Sequence, residues 1–361
     1  MSLDNARERI NALDAEIVRL LDARGRICRE IGAIKQNEGL PFHQPGREAE
    51  VLQRLCALSD GGMSARGLEN IYRTIMTETT VMQRESASCS GHAGAGKRDV
   101  AAEVVSNIPI APGFYRMRLR CPEVGPVFMP GQFFQIRLGL KGEGGFLRRP
   151  FAPSECDGEG FAFVYAVVGR GTRFMSELQP GARVSVLAPL GNAYTVSAGI
   201  KKALLVGGGC GSPSLAPLAR ALRADGVHVT VLVGARTADV LLERALFASV
   251  SDRLVIATDD GSHGCQGTVV DACRADGDVL RGVEKVYSCG PTPMLRAVAA
   301  MAAEAGVSCE VSLEERMACG FGACVGCVVP VLSDGGESVF RRVCHDGPVF
   351  DAARLAWGEM R

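Results

Sequence analysis

The sequence predicts a multidomain chain: a three-helix all-α segment, then an antiparallel β-barrel, an α/β domain with a parallel sheet, and a small C-terminal cysteine segment. Three observations predict it. Apolar residues recur with a 3.6-residue period through about residue 85, short alternating runs fill residues 99 to 200, and strand-like and helix-like runs alternate from Lys201. At 361 residues the chain also exceeds the size of one ordinary core, so two or three are expected.

The first segment, residues 1–86, is charged and rich in helix formers, with breaks near Gly39 to Gly46 and at Gly61 and Gly62. The following SASCSGHAGAGK holds only small and polar side chains that cannot bury a core, so residues 87–97 read as a flexible linker. Residues 98–200 contain QFFQIRL, FAFVYAVV and ARVSVLA separated by Gly and Pro, the pattern of an antiparallel barrel. In residues 201–302, ALLVGGG, SLAPLARALRAD, VHVTVLVGA, LVIATDD and KVYSCG alternate strand with helix, as a parallel sheet requires. Residues 303–361 form the terminal cysteine segment.

Composition excludes several partners. The 40 basic and 40 acidic residues cancel, which removes the electrostatic footprint for nucleic acid or an anionic membrane. With no run of about 18 apolar residues and no apolar leader, the chain is expected to be cytoplasmic. Fourteen cysteines in such a chain point to metal or redox chemistry more than to disulfides, and four of them cluster.

That cluster is Cys319, Cys324 and Cys327, a C-x4-C-x2-C pattern followed after sixteen residues by Cys344, the plant-type spacing for a [2Fe–2S] cluster. Each of two irons needs two soft thiolates, and the small residues of CGFGACVGC let the backbone wrap closely around sulfur. The alternative is structural zinc, which the C-x-x-C pair alone would fit.

Two glycine-bearing loops carry the next signal. VGGGCGSPSL follows a buried strand, and Gly207, Gly208, Gly209 and Gly211 would let the backbone approach a pyrophosphate at a helix start. Cys289, Gly290, Pro291 and Met294 of CGPTPML end a later strand, where an open α/β sheet places its ligand crevice. In the barrel, Arg149 of LRRPFAPS can hold a phosphate while Pro150, Phe151 and Ala152 lie along a flavin ring, and Gly171 and Thr172 of GRGT can contact its pyrophosphate.

Through RRPFA, GRGT, APLGNAY, VGGGCG, TDDGSHGCQG, CGPTPML, SLEERMACGFGACVGC and VCHDGPVF, residues 98–361 resemble the electron-transfer subunit of NAD-dependent dihydroorotate dehydrogenase, a ferredoxin-reductase-like protein. The resemblance implies an FAD domain in which Tyr165 also contacts the cofactor, an NAD(P) domain, and hydride passing from NAD(P)H to FAD with single electrons leaving through the cluster. It further implies a partner flavoprotein such as the catalytic dihydroorotate dehydrogenase subunit, because a barrel of about 250 residues has no room here. Relatives with the same modules serve other ferredoxin- and NADP-linked oxidoreductases. Ala152 stands where the family commonly has a hydroxyl residue beside the flavin.

In the helical segment Ile10, Leu13, Ile17, Leu20, Leu21, Ile27, Ile31 and Ile34 mark one apolar face, and Arg24 and Lys35 interrupt it. Eleven residues is close to three turns, so both cations can reach one acidic ligand, or else snorkel or pair with neighbouring carboxylates. With GREAEVLQRL and IYRTIMTETTVMQ the segment resembles the all-helical class of chorismate mutase. That resemblance implies that Arg7 of a partner subunit, Arg24 and Arg47 bind the two carboxylates of chorismate, Lys35 and Gln83 the ether oxygen, Glu48 the ring hydroxyl and Thr79 a carboxylate. Gln44 replaces an acidic residue common in relatives. It also implies a homodimer in which the first helix serves both sites. A working mutase on an electron-transfer subunit is therefore expected, the alternative being a helical module that senses ligand or dimerises without turnover.

Overall fold

The computed structural model describes residues 3–37, 45–57, 97–138, 147–196, 199–360 and ten positions between 62 and 79. The chain divides into two compact units, Met1–Gly94 and Ala95–Arg361, with the division inside the expected linker.

In the first unit α1 runs Leu3–Asn37, 35 residues or about 52 Å, and α2 runs Pro45–Ala57. Helical positions recur at 67–69, 71, 72, 75, 76 and 79. Cys28, Leu52, Met76 and Thr79 are buried, while Ile10, Leu13, Ile17, Leu20, Ile27 and Ile34 on α1 are exposed.

The second unit begins with the antiparallel sheet: β1 (Arg98–Ala111), β2 (Phe114–Arg120), β3 (Phe133–Arg137), β4 (Arg149–Phe151), β5 (Glu155–Asp157), β6 (Gly160–Ala166) and β7 (Arg183–Leu190), with the short helix α3 (Arg170–Ser176) before β7. Its order is β4-β3-β7-β1-β2-β6-β5, so the expected barrel is a curled sheet whose two ends, β4 and β5, are not hydrogen-bonded to each other. Alternation drives the packing: Phe134 and Ile136 of β3 and Phe161, Phe163 and Tyr165 of β6 fill one core.

The α/β sheet contains β8 (Lys202–Gly208), β9 (His228–Ala235), β10 (Arg253–Thr258), β11 (Cys265–Gln266), β12 (Lys285–Cys289) and β13 (Ser308–Ser312). Between them lie α4 (Ala216–Ala224), α5 (Arg244–Val250), α6 (Val269–Ala275) and α7 (Thr292–Glu304). The order β11-β10-β9-β8-β12-β13 is parallel throughout and reverses direction of winding at β8. The sheet therefore does not stop at residue 302, where the sequence boundary was expected. α7 covers it through Glu304, and β13 follows as a further buried strand.

The terminal segment adds the hairpin β14 (Val328–Leu332) and β15 (Ser338–Arg342), the single turn α8 (Val343–Asp346) and β16 (Val349–Asp351). β16 pairs antiparallel with β13, Ser312 opposite Val349 and Glu310 opposite Asp351, which stitches the cysteine segment into the α/β sheet. Asn192 of APLGNAY ties the first sheet to the same strand, donating to Val349 O and accepting from Val349 N, each at 2.9 Å.

Candidate functional site

The cysteine loop arranges its sulfurs as two pairs. The Cys324 N–H donates to Cys319 Sγ at 3.4 Å, and the Cys344 N–H to Cys327 Sγ at 3.4 Å. Two pairs fit a cluster in which each iron takes two thiolates.

Electrostatics separates the pairs. At Cys319 burial raises the thiol pKa, but backbone N–H groups of Phe321, Cys324 and Ala323 outweigh it and bring the value to about 6. At Cys344 burial and the neighbouring Cys327 sulfur push the pKa up, the crowding that a bound cation relieves. Val325, between the second and third ligands, is exposed and takes φ 56, unusual for a β-branched residue.

In the α/β sheet two strand-end loops meet. β8 and β12 are neighbours, and the winding reverses between them, which is where an open α/β sheet leaves its crevice. The approach is close: a Cβ on Gly208 would lie 2.5 Å from Met294 Sδ, and one on Gly211 would lie 2.9 Å from Cys289 Sγ and 3.0 Å from Gly290 N. Gly207 is packed on Ser212 in the same way, and Gly209 takes φ 53 at the loop's apex. The helix expected directly after the glycines is delayed. Gly209–Leu215 forms a 3-10 turn containing Pro213, which cannot donate, and α4 starts only at Ala216.

On the first sheet, the Arg149 guanidinium lies over Gly171, where a Cβ would come within 2.3 Å of it. This leaves cation and bare backbone side by side, a cradle that fits a phosphate. The Thr172 hydroxyl accepts from Val168 N at 2.9 Å and Gly169 N at 3.1 Å, so it shapes the turn. Pro150, Phe151 and Ala152 are half-buried on the edge strand β4 and its exit. Tyr165 is not at a surface: it is fully buried, stacked on Tyr115 with centroids 5.7 Å apart, and its hydroxyl donates to Asn107 at 2.9 Å.

In the helical unit Arg24 Nη1 donates to Thr79 Oγ1 at 2.7 Å, bringing two of the expected ligands together. Lys35 is half-buried on the same helix and Arg7 is exposed near its start. The side chains of Arg47, Glu48, Gln83 and Gln44 lie outside the described residues.

Two residues escaped sequence reasoning. Glu314 lies within electrostatic range of Cys210 and Cys289, and the protein packed around its carboxyl raises its pKa although part of the residue meets solvent. Gln135 is fully buried with both amide atoms unpaired among the described residues. Nothing within QFFQIRL itself sets this glutamine apart.

The two sheets, the glycine loops at the switch point and the paired thiolates define an FAD-dependent, ferredoxin-reductase-like electron-transfer protein with an iron–sulfur segment. Residues 314–356 match the family described as the iron-sulfur cluster binding domain of dihydroorotate dehydrogenase B. The electron transfer subunit of dihydroorotate dehydrogenase B (NAD(+)) from Desulforamulus reducens is 38% identical over 259 residues, 71% of this chain and 97% of the relative. That from Bacillus caldolyticus is 39% identical over 259 residues, 70% and 96%. The chain belongs to this family of dihydroorotate dehydrogenase B electron transfer subunits. Residues 6–84 match the family described as chorismate mutase type II, which makes the N-terminal unit a chorismate mutase domain.

Among solved structures, the NADH-dependent reduced ferredoxin-NADP oxidoreductase of flavin-based electron bifurcation superposes with TM-score 0.62 at 34% identity, covering 72% of this chain and 91% of that one. The ferredoxin reductase of carbazole 1,9a-dioxygenase does so with TM-score 0.51 at 26% identity, covering 58% and 67%. No described helix is long and apolar enough to cross a membrane.

Proposed function

We propose that this polypeptide is bifunctional: the helical unit converts chorismate to prephenate, and the remainder carries electrons from NAD(P)H through FAD and a [2Fe–2S] cluster to a partner oxidoreductase. Support for the first half comes from the 2.7 Å Arg24–Thr79 bond, which joins two members of the expected ligand set from distant parts of the sequence. Support for the second comes from the two thiolate pairs, arranged for two irons.

In the mutase, no proton moves. A unimolecular Claisen rearrangement asks only that the diaxial conformer be held and that negative charge growing on the ether oxygen meet a donor. Arg24, with Arg47 and the partner subunit's Arg7, would grip the carboxylates, Lys35 and Gln83 would donate to the ether oxygen, Glu48 would accept from the ring hydroxyl, and Thr79 would fix Arg24. The exposed apolar residues of α1, from Ile10 to Ile34, favour a second copy of the helix as their cover, so a homodimer is the working state.

In the reductase half, FAD accepts hydride and the cluster relays single electrons when these groups are bound. The Arg149–Gly171 cradle would hold the flavin phosphates, with Pro150, Phe151 and Ala152 along its ring. Gly207 to Gly211 and Cys289 to Met294 would seat the nicotinamide nucleotide across the β8/β12 crevice. Electrons would leave beside the exposed Phe321 and Val325. The relatives' own descriptions favour the catalytic dihydroorotate dehydrogenase subunit as acceptor. The bifurcating oxidoreductase neighbour supports a second reading, a ferredoxin- or NADP-linked complex.

The test is a chorismate-depletion assay on the purified full-length chain beside its visible spectrum. Rapid depletion with flavin and iron–sulfur bands is expected. A cofactor-loaded protein inert toward chorismate would reduce the helical unit to a sensor or dimerising module.

A further inference from the structure

Along β3, Phe134 and Ile136 enter the first core, so Phe133, Gln135 and Arg137 face the other way. That face carries the cysteine segment. Phe133 belongs to the core that contains Cys327 and Cys344, and Arg137 lines an open groove with Ala318 and Cys319. Gln135 lies between them and is 0% exposed.

Its amide is pressed on the cluster loop. A Cβ on Gly320, the residue after Cys319, would lie 2.4 Å from Gln135 Cδ, 2.6 Å from Nε2 and 2.7 Å from Oε1. Neither Nε2 nor Oε1 has a hydrogen-bond partner among the described residues. Buried polar groups are otherwise almost always paired, so an unpaired carboxamide here points to an acceptor that arrives with a ligand. The backbone of Gln135 pairs with Pro150 in β4, so one residue touches both the flavin strand and the cluster loop.

We propose that Gln135 is a positioning residue for the iron–sulfur cluster: its side-chain N–H donates to a cluster sulfur beside Cys319 and raises the potential at which the cluster accepts an electron. The added electron makes the sulfurs more negative, so a donor stabilises the reduced form more than the oxidised one. The glycine at 320 is what lets the amide reach past the loop. The proposal rests on the reading that Cys319, Cys324, Cys327 and Cys344 hold a [2Fe–2S] cluster.

The test uses the full-length holoprotein and two variants, Gln135→Met, of similar length without a donor, and Gln135→His, which keeps one. Redox titration is followed by EPR of the reduced cluster, and resonance Raman spectra are taken in H2O and D2O. Gln135→Met is expected to shift the midpoint negative by about a tenfold change in the reduction equilibrium, 59 mV for one electron. It should also lose a deuterium-sensitive part of the Fe–S stretching bands, and Gln135→His should restore both. An unmoved midpoint in cluster-loaded Gln135→Met overturns the proposal. Where Gln135→Met fails to retain the cluster, its retention in Gln135→His upholds the donor role, and equal loss in both overturns it. A wild-type protein without the EPR signal of a reduced two-iron cluster would sink the underlying reading instead, and this proposal with it.

Discussion

Arg24 and Thr79 stand 55 residues apart in the chain and share a 2.7 Å hydrogen bond. The Thr79 hydroxyl in turn donates to Ile75 O at 2.8 Å, so its lone pairs face Arg24 and the guanidinium is aimed. A cation placed this way in an apolar helix face is preorganised for an anion. Arg24→Ala should lower prephenate formation by about a hundredfold or more in kcat. NAD(P)H oxidation by the same sample should not change. If chorismate turnover survives while reductase rates move, the helical unit is a regulator.

Gly211 leaves no room for a side chain between the two crevice loops, and the nearest obstacles include the Gly290 backbone, which cannot swing away. Gly211→Ala should raise KM for NAD(P)H about tenfold or more by pushing the loops apart. Flavin and cluster absorption should persist. Steady-state kinetics with a dye acceptor checks it.

The Cys319 thiol has its pKa depressed to about 6 by backbone donors, so it is ionised at pH values where an ordinary thiol is not. In cluster-stripped protein, alkylation at Cys319 should rise through about pH 6 and be nearly flat by pH 8. Cys344, whose pKa is raised, should resist throughout. Peptide mapping after timed alkylation reads both. Reconstitution with iron and sulfide before labelling should protect the two sites together.

Lys285 and Glu310 form a mostly buried pair at 2.8 Å across β12 and β13, and both also bind the backbone of Thr195, through its O at 3.1 Å and its N at 2.8 Å. Lys285→Met would strand the carboxylate in a dry place, at a cost of about 3 kcal/mol. The melting temperature of the holoprotein should fall by roughly 6–12 °C. Adding Glu310→Leu should recover most of that loss.

Local features were readable from sequence, and non-local ones were not. The strand–helix alternation is set by spacings within a few residues, and the structure shows it where those spacings imply. The delayed start of α4 was hidden because SLAPLARALRAD has helical periodicity while Pro213 and Pro217 decide where N–H donors begin. The domain boundary near residue 302 failed for a longer-range reason, since nothing near Ser308 says that Val349 will pair beside it. Gln135 was illegible because its burial comes from Gly320, 185 residues later.

β16 reaches its place only after the chain has passed through all four cysteines. Until β16 pairs there, β13 presents an open row of N–H and C=O groups to whatever strand comes near. The sheet edge is thus closed by one of the last strands to be synthesised. A chain cut ahead of Val349 is expected to keep every cysteine and glycine loop and still aggregate through β13.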